Sequence, residues 1–484
     1  MPQTAFGDLV VLLPGFLGSR LVRGKGKDAV TIWDLSMSRL PRLLREIYKG
    51  GLVLPGDGID PPDDDVEAVD LFSSQLLPGF IGVDDYQAIL SALQRSAGTE
   101  QVLTFPYDWR LSNRHAAKRL ESRAMDALRQ WKVKSGNRDA RLWLVCHSMG
   151  GLVARYFCEH LGGREHTRAV ITIGTPHRGA VKALGALVNG IRYGPIDLSP
   201  MLRSLPSVYE LLPLYPAVRE ERGKTIHVHR LAELFGLDSI TGEEVRAPDA
   251  APFAGIDRAM LRRALEFHRD IRVPAQARED RGAPSPYRQY AFFNRRQRTP
   301  LTARFNGAGL ELLDTYPEPE GDGWREDDAR GDGTVPSFSS VPIEWADTAQ
   351  AIAIGEKHTE MQSVVTVQDT ILNWLRPIAV RGKKGGPVSQ HDAIALDVPP
   401  TLMLGEDLIV AASALRPMNA SIDVTNVETN ARTTQRLTLP GGDTIRTIPF
   451  LGLAGGTYRV TARAEDPMKP AVSDYVFVID PREG

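Results

Sequence analysis

Two cysteines, Cys146 and Cys158, are all that 484 residues contain. With a strand, a turn and a helix between them they stand about three helical turns apart, roughly 16 Å, beyond the reach of a disulfide. The fold therefore does not depend on an oxidising environment, and a cytoplasmic setting is the expectation. Long apolar runs are missing too. LVVLLPGFLG (Leu9 to Gly18) is broken by Pro14 and Gly15 and falls short of the ~18 residues that cross a bilayer. The opening MPQTAFGDLV has no basic segment followed by an apolar one, so no export signal is expected. Charge of one sign is scarce: 58 Lys and Arg stand against 60 Asp and Glu, a formal net charge of -2. Nucleic acid has no electrostatic reason to be the partner. Internal repeats and low-complexity tracts are also absent.

What the chain does have is alternation. GDLVVLLP (Gly7 to Pro14), QVLTFPYDW (Gln101 to Trp109), ARLWLV (Ala140 to Val145) and AVITIGTP (Ala169 to Pro176) read as apolar strands. Helical patterns lie between them: Asp84 to Ser96, with Asp84 or Asp85 near the N-cap, Arg114 to Ser135, and Gly151 to Leu161. Strand text resumes at YRQYAFFN (Tyr287 to Asn294) and TAQAIAIG (Thr348 to Gly355). Near-continuous apolar strands alternating with helices predict an α/β class, a parallel sheet covered on both faces. Two stretches interrupt it, residues 28–80 and 183–285, and these read as a cap or lid inserted at the C-terminal edge of the sheet.

After ILNWLRP (Ile371 to Pro377) the composition shifts. Residues 378–391 are basic, Gly-rich and linker-like. Residues 392–484 show about seven short strands separated by turns such as PGGD and LAGG, the rhythm of an immunoglobulin-like β-sandwich. The domains expected are thus 1–377 and 392–484.

The chemistry centres on LVCHSMGG (Leu144 to Gly151), nearly the G-x-S-x-G turn that lifts a serine above a sheet. Strand, turn and helix are in place around Ser148. Gly150 supplies one small neighbour, and Cys146 stands where the other glycine is usual. In this kind of site the acid and then the histidine follow the serine. His358, in IGEKHTEMQS, comes after the last apolar strand and before a helix, where a base would hang over the sheet edge. The acid should precede it, and DDARGDGTVPSFSS offers Asp327, Asp328 and Asp332. Asp332, between two glycines, sits in a tight turn, but spacing leaves the choice open. An oxyanion hole needs two backbone N–H groups; Met149 follows the nucleophile, and the glycines of PGFLGS (Pro14 to Ser19) suggest Phe16 for the other. Asp108 and Arg110 of FPYDWR read as a structural ion pair. No metal or cofactor is expected. GDGIDPPDDD (Gly56 to Asp65) lacks calcium-loop spacing, and His227 and His229 alternate on a strand without a third ligand.

VVLLPGFLGSRL, FPYDWR, HSMGG, TPHRG, SLPSVYELLP, GDGTVP and KHTEM together resemble, in order, the landmarks of the lecithin:cholesterol acyltransferase family, which includes lysosomal-type phospholipases. The resemblance runs from about Asp8 to Trp374. It implies an α/β-hydrolase fold, a Ser148–Asp332–His358 triad with Phe16 in the oxyanion loop, and a phospholipid or other acyl-lipid substrate met at a membrane surface. The sequence departs from the family at Cys146, and it lacks the paired cysteines that brace the membrane-binding loop of secreted relatives, a stretch corresponding to about Thr31 to Ser36. Water or a lipid hydroxyl could accept the acyl group. Two rival readings remain: a scaffold whose sandwich binds a protein partner, and a cytotoxic phospholipase that damages membranes.

Overall fold

Every residue of Leu9–Leu13 (β1) is buried, because in the computed structural model of the chain helices cover both faces of its sheet. The structure describes residues 6–34, 40–55, 62, 64–71, 86–193, 196–222, 225–245, 253–282, 285–306, 309–320, 323–327, 330–345, 351–375, 394–399, 401–442, 444–466 and 471–479. The predicted linker and the candidate N-caps Asp84 and Asp85 lie outside them. No helix among the described residues is long and apolar enough to cross a membrane.

The remaining strands of the central sheet are Val102–Thr104 (β2), Leu142–His147 (β3), Thr167–Ile173 (β4), Arg288–Phe293 (β5) and Ile352–Ala353 (β6). Their order is β6-β5-β4-β3-β1-β2, and every pairing is parallel. Strand side chains alternate between faces. Leu9, Val11 and Leu13, with Leu142, Leu144 and Cys146, enter one layer beneath Asn113–Ser135 (α2) and Gly150–Glu159 (α3). Val10, Leu12, Trp143 and Val145 enter the other beneath Gln87–Ala97 (α1) and Val365–Leu375 (α4). The strand expected over Gln101 to Trp109 ends at Thr104; Pro106 lacks the N–H that would continue the ladder. Tyr107, Asp108, Trp109 and Arg110 are instead buried beneath the site.

The cap elements are short. Ser19–Arg23 pairs with Val30–Trp33 and Val66–Leu71, and Val218–Arg222, Thr225–His229, Thr302–Phe305 and Leu310–Leu313 form a second sheet. Buried Glu210 ties this region to the body: its carboxyl accepts from the Asn113 N–H (2.7 Å) and the Ser112 hydroxyl (2.5 Å) at the start of α2. Burial raises that carboxyl to about 7.

Among the described residues of the last part of the chain eight strands follow: Ile394–Asp397 (β7), Thr401–Met403 (β8), Leu408–Ala414 (β9), Met418–Asn426 (β10), Arg432–Leu439 (β11), Arg446–Phe450 (β12), Gly456–Ala464 (β13) and Val472–Ile479 (β14). They form a three-stranded sheet, β7-β9-β12, and a five-stranded one, β8-β14-β13-β10-β11, around their own apolar core. The additional strand is β8. Its three residues are too short to show a period-two pattern. The fold is an α/β-hydrolase with cap insertions followed by a β-sandwich.

Candidate active site

The sheet order places the chain's crossover between β1 and β3: from β1 the chain moves outward to β2, then returns across β1 to β3. Loops leaving the C-terminal ends of such neighbours diverge and open a crevice. The β1 loop begins at Pro14 and the β3 loop is the serine turn.

Ser148 has φ 48°, in the left-handed region, and its N–H is held by the Ile173 carbonyl at 2.9 Å. Such a conformation persists only where its surroundings over-determine it. Here the turn is clamped from below: a Cβ on Gly150 would lie 2.4 Å from the Pro14 carbonyl oxygen. The other small-residue position, Cys146, packs into the helix-covered core beside Leu13. A side chain that points away from the turn explains how the site dispenses with glycine there. Burial pushes the Cys146 thiol well above its ordinary value, which marks it as packing rather than a nucleophile.

The His358 Nε2 lies 2.9 Å from Ser148 Oγ, and its Nδ1 lies 2.7 Å from Asp332 Oδ2. A carboxylate only accepts, so Nδ1 carries the proton and Nε2 accepts from the serine hydroxyl. Asp332 Oδ1 is occupied by the N–H groups of Thr334 (2.9 Å) and Val335 (2.6 Å), which fixes the carboxylate. The two loops are also joined directly, the His358 N–H donating to the Asp332 carbonyl at 2.9 Å. Gly174, at φ 60°, makes room for them: a Cβ there would sit 3.0 Å from His358 Nδ1 and 3.1 Å from Asp332 Oδ2. Ser148 and His358 each keep 8% of their surface exposed.

The β1 loop lies against the serine. A Cβ on Gly15 would be 2.8 Å from Ser148 Cβ. The Gly15 N–H donates to Tyr86 Oη at 2.8 Å, and that of Gly18 to the Gly15 carbonyl at 3.1 Å. Among the described residues the N–H groups of Phe16 and Met149 have no acceptor, which leaves them available to a developing oxyanion. The loop is pinned by Trp33, whose Nε1 donates to the Leu17 carbonyl at 3.0 Å, and by Phe16 packed edge-on to Trp109 at 5.4 Å between centroids.

One residue set aside by the triad order joins the site. His147 is buried, with Nδ1 2.9 Å from Tyr86 Oη and Nε2 3.1 Å from the His358 carbonyl oxygen. The carbonyl cannot donate, so Nε2 carries the proton and the Tyr86 hydroxyl donates to Nδ1. Burial, with the nearby His358, lowers His147 to about 3 and keeps it neutral. A relay thus runs from the Gly15 amide through Tyr86 and His147 to the backbone of His358.

Other candidates lie elsewhere. Asp327 ends the strand Gly323–Asp327, and Asp328 lies outside the described residues. Asp108 grips Arg110 through Oδ2 and Nη2 at 2.8 Å, and Arg110 also reaches Asp64 at 2.9 Å, so this pair fastens a cap segment beneath the loop. His227 and His229 lie on the cap strand Thr225–His229, and no group of three or more metal-ligating side chains occurs among the described residues.

Residues 61–232 match the family described as Lecithin:cholesterol acyltransferase, so the resemblance carried by the motifs holds over a stretch that includes the serine turn. No curated protein matches the chain. Similar solved structures include the Tle4-Tli4 complex, at 15% identity over 75% of this chain and 97% of that one, TM-score 0.43. The Bacillus licheniformis lipase BlEst2 is 10% identical over 100% of this chain and 96% of that one, TM-score 0.33. The Legionella pneumophila phospholipase PlaB is 9% identical over 98% and 93%, TM-score 0.29.

Proposed function

We propose that this protein is a serine esterase that cleaves acyl esters of lipids, phospholipids among them, through Ser148, His358 and Asp332. The observation that supports it most is the unbroken hydrogen-bonded series from the Ser148 hydroxyl through the His358 imidazole to the Asp332 carboxylate. Ser148 Oγ attacks the ester carbonyl as His358 Nε2 takes its proton. Asp332 holds the imidazole in the tautomer that can accept and stabilises the cation that forms. The N–H groups of Phe16 and Met149 receive the negative oxygen; losing one such donor typically lowers the rate by roughly 10²- to 10³-fold. His358 then gives the proton to the leaving alcohol, and an acyl-enzyme remains on Ser148. Water, or a lipid hydroxyl, releases the acyl group. The family match over residues 61–232 supports the acyl-lipid class. Substrates of that kind bring the protein to a membrane surface as a peripheral visitor. Residues 1–377 act as the catalytic domain and 392–484 as the sandwich domain.

The test is turnover of phosphatidylcholine vesicles, with products identified by mass spectrometry in the presence and absence of a diacylglycerol acceptor. Ser148→Ala should lower turnover by several orders of magnitude and abolish labelling by a fluorophosphonate. Undiminished hydrolysis by that variant sinks the proposal. Acyl transfer to diacylglycerol in the wild type would identify an acyltransferase rather than a hydrolase.

A further inference from the structure

The loop bearing His358 follows a shorter strand than the serine turn or the β1 loop does. The serine follows a six-residue strand and the β1 loop a five-residue strand, but β6, which leads to His358, has only two residues. After it His358–Ser363 forms a 3₁₀ turn, a conformation with poor hydrogen-bond geometry of its own. Within the hydrolase half it is held by the His358 N–H on the Asp332 carbonyl and by Asn294 Nδ2 on the Glu356 carbonyl, and three further contacts come from the other half of the molecule. Lys357 Nζ is ion-paired with Asp474 on β14, the two side chains being 15% and 23% exposed. Glu360 meets Arg459 of β13 at 3.5 Å. The buried Glu356 carboxyl accepts from the Ser473 backbone on β14. Three residues within five positions, on both sides of His358, thus rest on two adjacent sandwich strands.

The acid is held in the same way. Gln297 is 1% exposed and exchanges both backbone hydrogen bonds, each 3.0 Å, with Gly331, next to Asp332. Its side chain behaves as a strand partner for β7: Nε2 donates to the Ile394 carbonyl and Oε1 accepts from the Leu396 N–H, each at 3.1 Å. Nε2 also donates to the Gly355 carbonyl at 3.1 Å, just before the base loop. One buried amide therefore joins the acid loop, the base loop and the sandwich.

We infer that the sandwich is a working part of the catalytic site, in which Asp474, Arg459 and Ser473 position the loop of His358 while β7, through Gln297, positions that of Asp332. The inference rests on the triad proposed above. A displacement of about 1 Å in such a constellation is enough to lower turnover roughly 10²-fold, so the contacts that fix the loops of His358 and Asp332 from outside make docking of the sandwich a condition of catalysis. Lys357, Glu360 and Gln297 are positioning residues; none of them touches the reacting atoms.

The experiment compares the full chain with Asp474→Ala/Arg459→Ala and with Arg436→Ala, a change at an exposed position of β11. Substrates are p-nitrophenyl butyrate in solution and phosphatidylcholine vesicles. The double variant should lose about ten- to a hundredfold in kcat on both substrates, with KM within about twofold and a parallel fall in fluorophosphonate labelling. Amide hydrogen exchange should rise across residues 356–363 while β1 and β3 stay protected. Arg436→Ala should match the wild type, and the exchanged pair Lys357→Asp/Asp474→Lys should recover part of what Asp474→Lys alone loses. Unchanged turnover of the soluble ester, or a loss confined to vesicles, overturns the inference and assigns the sandwich to surface recruitment. If the wild type neither turns over ester nor takes the label, the triad itself fails. The exchange measurement still decides whether the sandwich braces the loop.

Discussion

The two halves of the molecule obey different rules. In the sandwich, strands such as Met418–Asn426 and Gly456–Ala464 contribute apolar residues to one core, and a left-handed residue such as Gly442 faces open space in a turn. In the hydrolase half, Leu17 and Ser148 adopt left-handed conformations beside the site, and Arg110, His147, Asp332 and His358 are all buried. Around the proposed triad, local conflict with propensity is absorbed by the surrounding structure. The sandwich has a left-handed residue too, Asn430 at φ 58°, but it lies far along the chain from the triad, so the sandwich's contribution has to be read from what it touches.

The sharpest way to break this contrast uses two glycines with the same φ of 60°, Gly174 and Gly442. Alanine strains the backbone at both by about 1 kcal/mol. Only at Gly174 would its methyl meet His358, Asp332 and Met361, at 3.0 to 3.1 Å. Gly174→Ala should therefore lose about a hundredfold in kcat, whereas Gly442→Ala keeps full turnover and shows a similar change in melting temperature. Equal kinetics in the two would erase the distinction.

A smaller effect is expected at Tyr86. Tyr86→Phe leaves the Gly15 N–H without its acceptor and His147 Nδ1 without its donor. Turnover of a soluble ester should fall about tenfold, the equivalent of ~1.4 kcal/mol. Wild-type kinetics in this variant would show that the relay plays no part. Smaller again, Ile422→Val in the fully buried sandwich core should destabilise by about 1 kcal/mol. In calorimetry, ester hydrolysis should vanish with whichever transition this substitution shifts; activity surviving that transition would separate the two halves.

The smallest effect concerns pH. Burial, then the nearby Glu360, raises the Glu356 carboxyl to about 8 from an ordinary 4.5, against the partial opposition of the Ser473 N–H, Arg459 and Arg463. A carboxyl raised in the folded state favours folding while protonated. Its contribution is full below about pH 4.5 and is lost as pH rises through about 8. Glu356→Gln, always neutral, should flatten the decline in melting temperature between about pH 5 and about pH 9. A parallel decline in both proteins would assign that pH dependence to other groups.

Much of this architecture was legible because it is written locally. Apolar runs marked β1, β3, β4 and β5, and the serine turn announced itself by strand, turn and helix. Asp332 was one of three candidates until the ordered motifs singled it out, because a turn aspartate looks the same whether or not an imidazole lies nearby. His147 was passed over because chain order excludes it from the triad, and order says nothing about a histidine that supports another. Gln297 and Tyr86 carry no local signal; their partners are 97 and 61 positions away. Thr302–Phe305 and Leu310–Leu313 escaped for a different reason. Four residues each, they gain their strand character from pairing in the cap sheet rather than from their own pattern.

The pairing of Leu13 with Cys146 sets a limit on how this protein can change over evolutionary time. Side chains along a strand reverse every residue, so inserting one amino acid into β1 or β3 would turn the following loop toward the wrong layer. The segments between strands are free of that parity. Caps can lengthen without disturbing that register, but the lengths of two adjoining strands are inherited together or not at all.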